Sequence, residues 1–513
     1  MTATTPGTTP DAVTPPAAAT TPDATTPPAA TTGTAAGSAP AAPPTRRLGA
    51  ALTVVLLATF MTGFDTTGVN MAVPSIQDAL GANYGAMQWV IAGYTLPFAL
   101  LLVTGGRIGD AFGRRRAFLL GLAGFTAASV LAGLAGDVGS LVAARVVQGI
   151  AAAVMGPQVL AVFQVLVPAA RRAPLLAVYG LVIGLATVSG PMLGGVLMSA
   201  DLFGWGWRTI FLINLPIGLV AFLGALAWLP ESRDERGRGF DLGGVFLAAA
   251  ALLLLLHPLM YGRELGWPWW SWLCLAAAGP AFVLLVRYER GKERAGESPL
   301  VALHLFGQRT FTAGVLANVI VAALMSGFFL TFVVFLQSGL DFTAERTGWT
   351  VAPWAVGTAL ASMVAIPLAR TAGRTALVVG AVLMTLGMAG LNAIVVTQGA
   401  ELTSLPIVVS LFVVGVGMGL VSAPILNVTL AGIPHVDAGS AAGIFSTCKQ
   451  TGQVLGVAVT GAVFFGLLVD QDTASRDRFV DAMSWTLGVQ VLLCLLVVAL
   501  VFVLPRKVDA AAR

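Results

Sequence analysis

Apolar residues run along this chain in blocks about twenty residues long, and short polar or basic clusters separate most of the blocks. A bilayer's hydrocarbon layer is spanned by a helix of about 20 such residues. Runs of this kind lie near 49–69, 86–106, 117–136, 140–161, 174–198, 208–229 and 241–261, and again near 268–287, 311–335, 347–368, 376–396, 404–425, 442–468 and 484–504. The pattern predicts an all-α integral membrane protein with 14 transmembrane helices.

Composition agrees. The 513 residues are 57% hydrophobic and 10% charged, with mean hydropathy +0.87. A soluble domain carries roughly 25% charged residues. Net charge +4 raises the question of nucleic acid, but the basic residues form no patch, so no nucleic-acid partner is expected. They sit in the turns, where they orient loops against a bilayer. With both termini in the cytoplasm, only Arg208, Arg263, Arg346, Arg476 and Arg478 fall outside, and Arg145 and Lys449 fall within spans. The WPWWSW run at 267–272 suits an outer aromatic belt. The expected setting is a cell membrane. Cys274, Cys448 and Cys494 lie in apolar segments without CxxC spacing, so neither disulfide nor metal site is expected.

Residues 1–44 are nearly all Thr, Pro, Ala and Gly, with no Lys or Arg. Such a segment buries too little apolar surface to offset its chain entropy. The division expected is a disordered cytoplasmic tail over 1–47, a six-helix bundle over 48–230, two inserted helices with linkers over 231–300, a second six-helix bundle over 301–505, and a short tail over 506–513. The tail composition also suits a glycosylated stalk, which its cytoplasmic placement argues against. A faint repeat supports two halves: GDAFGRRR after the second run is echoed by ARTAGRTA at 369–376, with Gly113-Arg114 matching Gly373-Arg374. Two parallel six-helix halves are a transporter architecture whose substrate site lies between them.

No motif for enzymatic chemistry stands out. GVGMG at 415–419 lies inside an apolar run with no strand before it and reads as packing glycine. Gly291-Lys292 is followed by Glu293, so there is no phosphate-cradling loop. HExxH and GxSxG are absent, and no cofactor is expected.

Asp65, in GFDTTGVN, is the one acid well inside a run in the first half, and the last six runs offer none at similar depth. A carboxylate there must be protonated, face a cavity or pair with a cation, and Arg145 is the candidate partner. Lys449 is also costly at its depth and reads either as snorkelling towards the cytoplasm or as functional. His257-Pro258 reads as a kinked, hydrogen-bonded histidine or as a proton relay. Trp89, Tyr94, Phe328, Phe329, Phe332, Trp349, Trp354 and Met363, with Asn318, Asn427 and Gln450 as polar points, either line a central substrate cavity or face lipid and core.

Six stretches carry a resemblance. GFDTTGVNMAVP (63–74), GRIGDAFGRRR (106–116), RVVQG (145–149), GLATVSGPMLGG (184–195), WGWRTIFLINLPIG (205–218) and AGSAAGIFSTCKQTGQVLGVAV (438–459) resemble, in order, motifs of the fourteen-span drug:proton antiporter group of the major facilitator superfamily. The resemblance covers about residues 50–505. It implies the major facilitator fold with six, two inserted and six helices. It implies export of a small amphipathic organic compound, a drug or antibiotic, in exchange for protons, by a monomer in the lipid bilayer. Asp65 would bind and release the proton beside Arg145. Gly106, Asp110, Gly113, Arg114 and Arg115 would form a cytoplasmic gate, with Ala111 standing where the family often has a basic residue. Gly184, Gly190, Pro191, Gly194 and Gly195 would form the antiporter motif, a contact with the tenth span that opens and closes. The alternatives are a dedicated exporter of one endogenous metabolite, proton-coupled import, which the glycine-proline motif counts against, and a non-transporting sensor with the same fold.

Overall fold

The computed structural model describes residues 45–167, 169–232, 241–262, 265–297, 299–430, 433, 438–468 and 475–504, with the side chains of a further set, many of them in the fifth and eleventh helices, also outside it. Residues 1–44 and 505–513 of the predicted tails lie outside the described residues, and the N-terminal tail, expected to run to 47, gives way to α1 at Thr45. The first seven helices are α1 (Thr45–Leu80), α2 (Tyr84–Phe112), α3 (Arg114–Gly133), α4 (Val138–Leu166), α5 (Ala169–Ser199), α6 (Thr209–Leu212) and α7 (Asn214–Trp228). Next come α8 (Leu242–Tyr261) and α9 (Trp269–Arg294). The last six are α10 (Arg309–Val334), α11 (Ala344–Ala372), α12 (Arg374–Gln398), α13 (Ser404–Leu430), α14 (Ala438–Leu467) and α15 (Arg476–Val503).

Among the described residues, 12 helical segments are long and apolar enough to cross a membrane, α6 and α7 together making one of them, Gly206–Trp228. α5 and α11, 31 and 29 residues long, contain side chains outside the description. Helices overrun the apolar runs that announced them: α1 continues to Leu80, and α15 begins at Arg476. Hydropathy marks the hydrocarbon thickness, whereas the backbone ladder goes on until a cap or a turn stops it.

One packing scheme occurs twice. α4 holds α2 and α3 on its flanks, α1 lies on α5, and α7 lies against α1 and α3. In the same order α13 holds α11 and α12, α10 lies on α14, and α15 lies against α10 and α12. The two sets meet where α5 packs on α11 and α2 on α14. Glycine at matching places makes the approaches possible. A Cβ on Gly149 of α4 would stand 2.2 Å from the Tyr94 carbonyl of α2, and one on Gly415 of α13 would stand 2.0 Å from the Trp354 carbonyl of α11. The GVGMG glycines thus sit on neighbouring helices, Gly419 against α11 and Gly417 against α12. The sequence echo is a structural one too: Gly113 and Gly373 cap α3 and α12 at φ 105° and 55°, a region where L side chains are strained.

α8 and α9 pack on one another, and α8 touches both sets, at α2 and α14. Trp89 of α2 lies 6.1 Å, ring to ring, from His257 of α8, and Trp270 stacks on that imidazole at 5.5 Å. Trp349 holds the corresponding place on α11, where no described helix covers it, and is 55% exposed.

Candidate coupling site

Asp65 and Arg145 are 0% and 1% exposed, and they meet. Arg145 Nη1 donates to Asp65 Oδ2 at 2.5 Å and to Gln148 Oε1 at 2.7 Å, while its Nε donates to the Val90 carbonyl at 3.0 Å. Gln148 Nε2 donates to Asp65 Oδ1 at 2.9 Å, and Asn214 Nδ2 reaches the same oxygen at 3.2 Å. Asn214 also donates to Ser129 Oγ at 2.9 Å, and that hydroxyl donates to the Phe211 carbonyl at 2.9 Å. The guanidinium lies 4.6 Å from the Tyr94 ring centroid and 5.7 Å from that of Phe211. A buried pair of this kind survives only when further hydrogen bonds satisfy the remaining lone pairs and protons, and here amides from two other positions do so.

Elements from across the N-terminal set deliver these groups: α1 brings Asp65, α2 the Val90 carbonyl and Tyr94, α3 Ser129, α4 Arg145 and Gln148, and α7 Asn214. Gly93 of α2 faces α4 at this level, where a Cβ would stand at ordinary contact distance, 3.6 Å, from Arg145 Cβ. Gln148, Asn214 and Ser129 were not singled out from the sequence. Two of them had a signal: Gln148 is three residues after Arg145 and so shares its helix face, and Asn214 interrupts the apolar FLINLP.

The residues of the expected gate form a second cluster. Arg114 donates to Asp110 Oδ1 at 2.9 Å. Glu231 accepts from the Arg115 amide at 3.2 Å and lies 3.6 Å from Arg116, and Arg115 Nη2 donates to the Leu226 carbonyl at 2.6 Å. These contacts stay within the first seven helices and the strand of chain leaving α7. Gly106 packs near Pro157, at 3.6 Å from where its Cβ would be. Glu231 is the acid of the cluster that the motif did not announce.

Along α5, a Cβ on Gly190 would stand 1.9 Å from Thr67 Oγ1 of α1 and one on Gly194 3.4 Å from the Gly68 carbonyl. One on Gly195 would stand 2.6 Å from the Ala344 carbonyl of α11, and one on Gly348 of α11 would stand 2.8 Å from the Pro191 carbonyl. Gly184 lies on α5, and its surroundings are outside the described residues. Gln337, in a π turn after α10, donates to the Met71 carbonyl of α1 at 3.3 Å, a second bridge between the sets at the same end of the molecule.

The expected cavity lining divides. Phe328, Phe332 and Trp354 are 0%, 0% and 2% exposed and stack on one another, with Phe329 beside them, so they are packed interior of the C-terminal set and present no surface to a cavity. The reason is that they lie between α10 and α11, where rings fill the gap between helices. Tyr94 lies against the Arg145 guanidinium. Trp89 is taken by α8. Asn318 donates to the Phe445 carbonyl of α14 at 3.1 Å, spending its amide on holding α10 to α14. Trp349, Met363 and Asn427 are exposed, and Gln450 is half-buried.

The fold is thus two matched sets of membrane-spanning helices, the first of which holds a buried ion pair. The family described as Major Facilitator Superfamily matches residues 55–242 and 232–457, and the chain belongs to it. It is a multi-pass membrane transporter and not an enzyme. The chain is 40% identical over 436 residues to the probable actinorhodin transporter of Streptomyces coelicolor, covering 85% of this chain and 75% of that protein. It is 33% identical over 455 residues to a cephamycin export protein of Amycolatopsis lactamdurans, with 86% and 91% covered, and 32% identical over 419 residues to the tetracenomycin C resistance and export protein of Streptomyces glaucescens, with 80% and 75% covered. Among solved structures it resembles a D-xylose-proton symporter at TM-score 0.61 and 16% identity, over 90% of this chain and 98% of that one. That likeness concerns the fold.

Proposed function

We propose that this protein exports a small amphipathic organic compound of the drug or antibiotic kind in exchange for protons, by alternating access. The observation that carries the reading is the Asp65–Arg145 pair, a buried acid held by a cation and by the neutral amides of Gln148 and Asn214. A proton arriving on Asp65 replaces the charge that Arg145 answers, which loosens the tie between α1 and α4. Its release restores the tie. Two six-helix bundles rock about the α5–α11 and α2–α14 contacts while the inserted pair α8–α9 flanks them, for fourteen spans in all with both termini in the cytoplasm of a cell membrane. No cofactor enters this scheme, and the working unit is one chain. Moving one charge through 100 mV supplies about 2.3 kcal/mol, and each pH unit about 1.4 kcal/mol. Together they sustain a substrate gradient of roughly several hundred-fold.

The experiment is proton-coupled efflux in vesicles, with wild type against Asp65→Asn. Loss of coupling in the variant supports the reading, and coupling that persists unchanged overturns it.

A second reading has its own support: several relatives bear the name of a single compound, actinorhodin, tetracenomycin C or cephamycin. A dedicated exporter of one endogenous metabolite fits those names, whereas another relative, 30% identical, is called a multidrug resistance protein. Efflux of a panel of dyes and antibiotics separates a narrow from a broad transporter.

A further inference from the structure

Three acids are buried among the described residues, Asp65, Asp241 and Glu289, and the last two belong to the inserted helices. Asp241 caps the start of α8 and is well supplied with donors. Its Oδ1 accepts from the Gly244 amide at 2.9 Å and the Tyr288 hydroxyl at 3.2 Å, and lies 3.1 Å from Lys292 Nζ. Its Oδ2 accepts from the Leu300 amide at 3.0 Å. Glu289, near the end of α9, is 1% exposed. Its Oε2 accepts from the Val301 amide at 3.3 Å, but its Oε1 is buried with no hydrogen-bond donor among the described residues.

That unmet oxygen is aimed at the other acid. A Cβ on Gly244 would stand 2.4 Å from Glu289 Oε1 and 2.7 Å from Asp241 Oδ2, so both carboxyls crowd the space that the glycine leaves free. The other charged and titratable groups at this end are Tyr288, Lys292 and Glu293 from α9, Glu297 and His304 from the chain that follows it, and Arg107 from α2. Lys292 is already shared, lying 3.4 Å from Glu297 Oε2, and His304 Nδ1 lies 3.0 Å from Glu293. Burial and a neighbouring like charge both disfavour an ionised carboxyl. A proton on Oε1 removes the repulsion and turns that oxygen into a donor beside the Asp241 carboxylate.

The two acids grip a strap. Residues 299–308 lead from α9 towards α10, and the amides of Leu300, Val301 and His304 are received by Asp241, Glu289 and Glu293 in turn. At one end Arg107 Nη2 of α2 donates to the Pro299 carbonyl at 3.1 Å. At the other, Thr312 Oγ1 of α10 donates to the Phe306 carbonyl at 2.8 Å, and Phe306 meets Phe311 edge to face at 5.4 Å. The acid pair therefore sits where the inserted helices, α2 of the first set and α10 of the second are joined.

We propose that Glu289 keeps its proton at neutral pH and is a second protonation site, separate from Asp65, and that losing this proton to an alkaline cytoplasm loosens the strap between α2 and α10. That this end faces the cytoplasm rests on the topology proposed above, whereas the proton on Glu289 does not. An ordinary glutamate, with a pKa of about 4.3, is ionised at neutral pH. Once Glu289 is ionised, like charges push apart the two acids that hold Leu300 and Val301, and the strap slackens.

The test uses the full-length protein in lipid nanodiscs, carrying Asp65→Asn so that this acid does not contribute. Infrared difference spectra between neutral and alkaline pH are expected to show the carbonyl stretch of a protonated carboxyl that is lost on alkalinisation. Adding Glu289→Gln is expected to remove that band, and a spectrum unchanged by it overturns the proposal. Asp241→Asn takes away the repelling charge and is expected to move the loss of the band to lower pH. A band that does not move overturns the proposal as well, and this arm stands where the glutamine variant fails to fold. The strap is read by thiol labelling of Ala302→Cys, a buried position, with Cys274, Cys448 and Cys494 replaced by serine. Labelling at alkaline pH is expected to be several-fold faster than in the same protein with Glu289→Gln, and equal rates overturn the switch. None of these readouts involves efflux, so this proposal and the export reading fail separately.

Discussion

Gln148 Nε2 donates to Asp65 Oδ1 at 2.9 Å while its Oε1 accepts from Arg145 at 2.7 Å, so a single neutral amide is tied to both charges of the pair. This makes Gln148 a brace that keeps acid and base in register. A hydrogen bond to a charged group contributes about 1.5–3 kcal/mol. Gln148→Leu is expected to lower thermal stability by a margin of that order and to slow efflux, and Gln148→Glu, which sets a second acid against Asp65, to be worse. Melting curves of the purified variants beside vesicle efflux check this, and a leucine variant as stable as wild type removes the brace.

The pair itself is asymmetric under mutation. Asp65→Ala leaves the Arg145 guanidinium buried and unanswered, which costs about 3–5 kcal/mol. The double variant Asp65→Leu with Arg145→Met removes both charges and is expected to recover much of that stability without recovering transport. Expression level and Tm of the single and double variants decide it: a double variant no more stable than the single one contradicts the account.

The glycine contacts differ in what opposes a side chain. A Cβ on Gly195 meets the Ala344 carbonyl, which is backbone, whereas one on Gly461 meets the far end of Gln88, which can swing aside. Gly195→Ala is therefore expected to disfavour the closed α5–α11 contact and cut efflux severely, and Gly461→Ala to be mild. Labelling of Ala344→Cys by a thiol reagent reads the contact directly, with faster labelling expected in the Gly195→Ala background.

At the start of α8 a different acid sets a pH dependence. Burial works to raise the pKa of Asp241, but the Gly244 and Leu300 amides and Lys292 outweigh it and hold the carboxylate below its usual value. Gly244 and Leu300 donate at 2.9 and 3.0 Å, and Lys292 Nζ is 3.1 Å away. A depressed carboxylate contributes stability that is present above its unfolded pKa, about 3.9, and lost as pH falls through its folded value. Asp241→Asn is expected to lower Tm at neutral pH and to flatten the fall in Tm towards strongly acidic pH. A variant that retains the wild-type acid slope refutes this.

What the sequence determined by itself is what depends on neighbours along the chain. The length of the apolar runs announced helices, twelve of which are long and apolar enough to cross a bilayer among the described residues, and the Gly113-Arg114 and Gly373-Arg374 turns announced two helix starts that share a positive-φ glycine. Asp65 and Arg145 were legible because a charge in an apolar run has few explanations, and each excuses the other. What needed the tertiary structure depends on azimuth, which drifts along a helix by about 100° per residue and has no fixed zero until a neighbour is in place. Only the packing could show that Phe328, Phe332 and Trp354 close on one another, or that Trp89 is claimed by α8 while Trp349 is left uncovered. In the same way Gln148 and Asn214, from α4 and α7, converge on one carboxylate oxygen, with Ser129 of α3 behind Asn214, and only the packing of those helices brings them within reach.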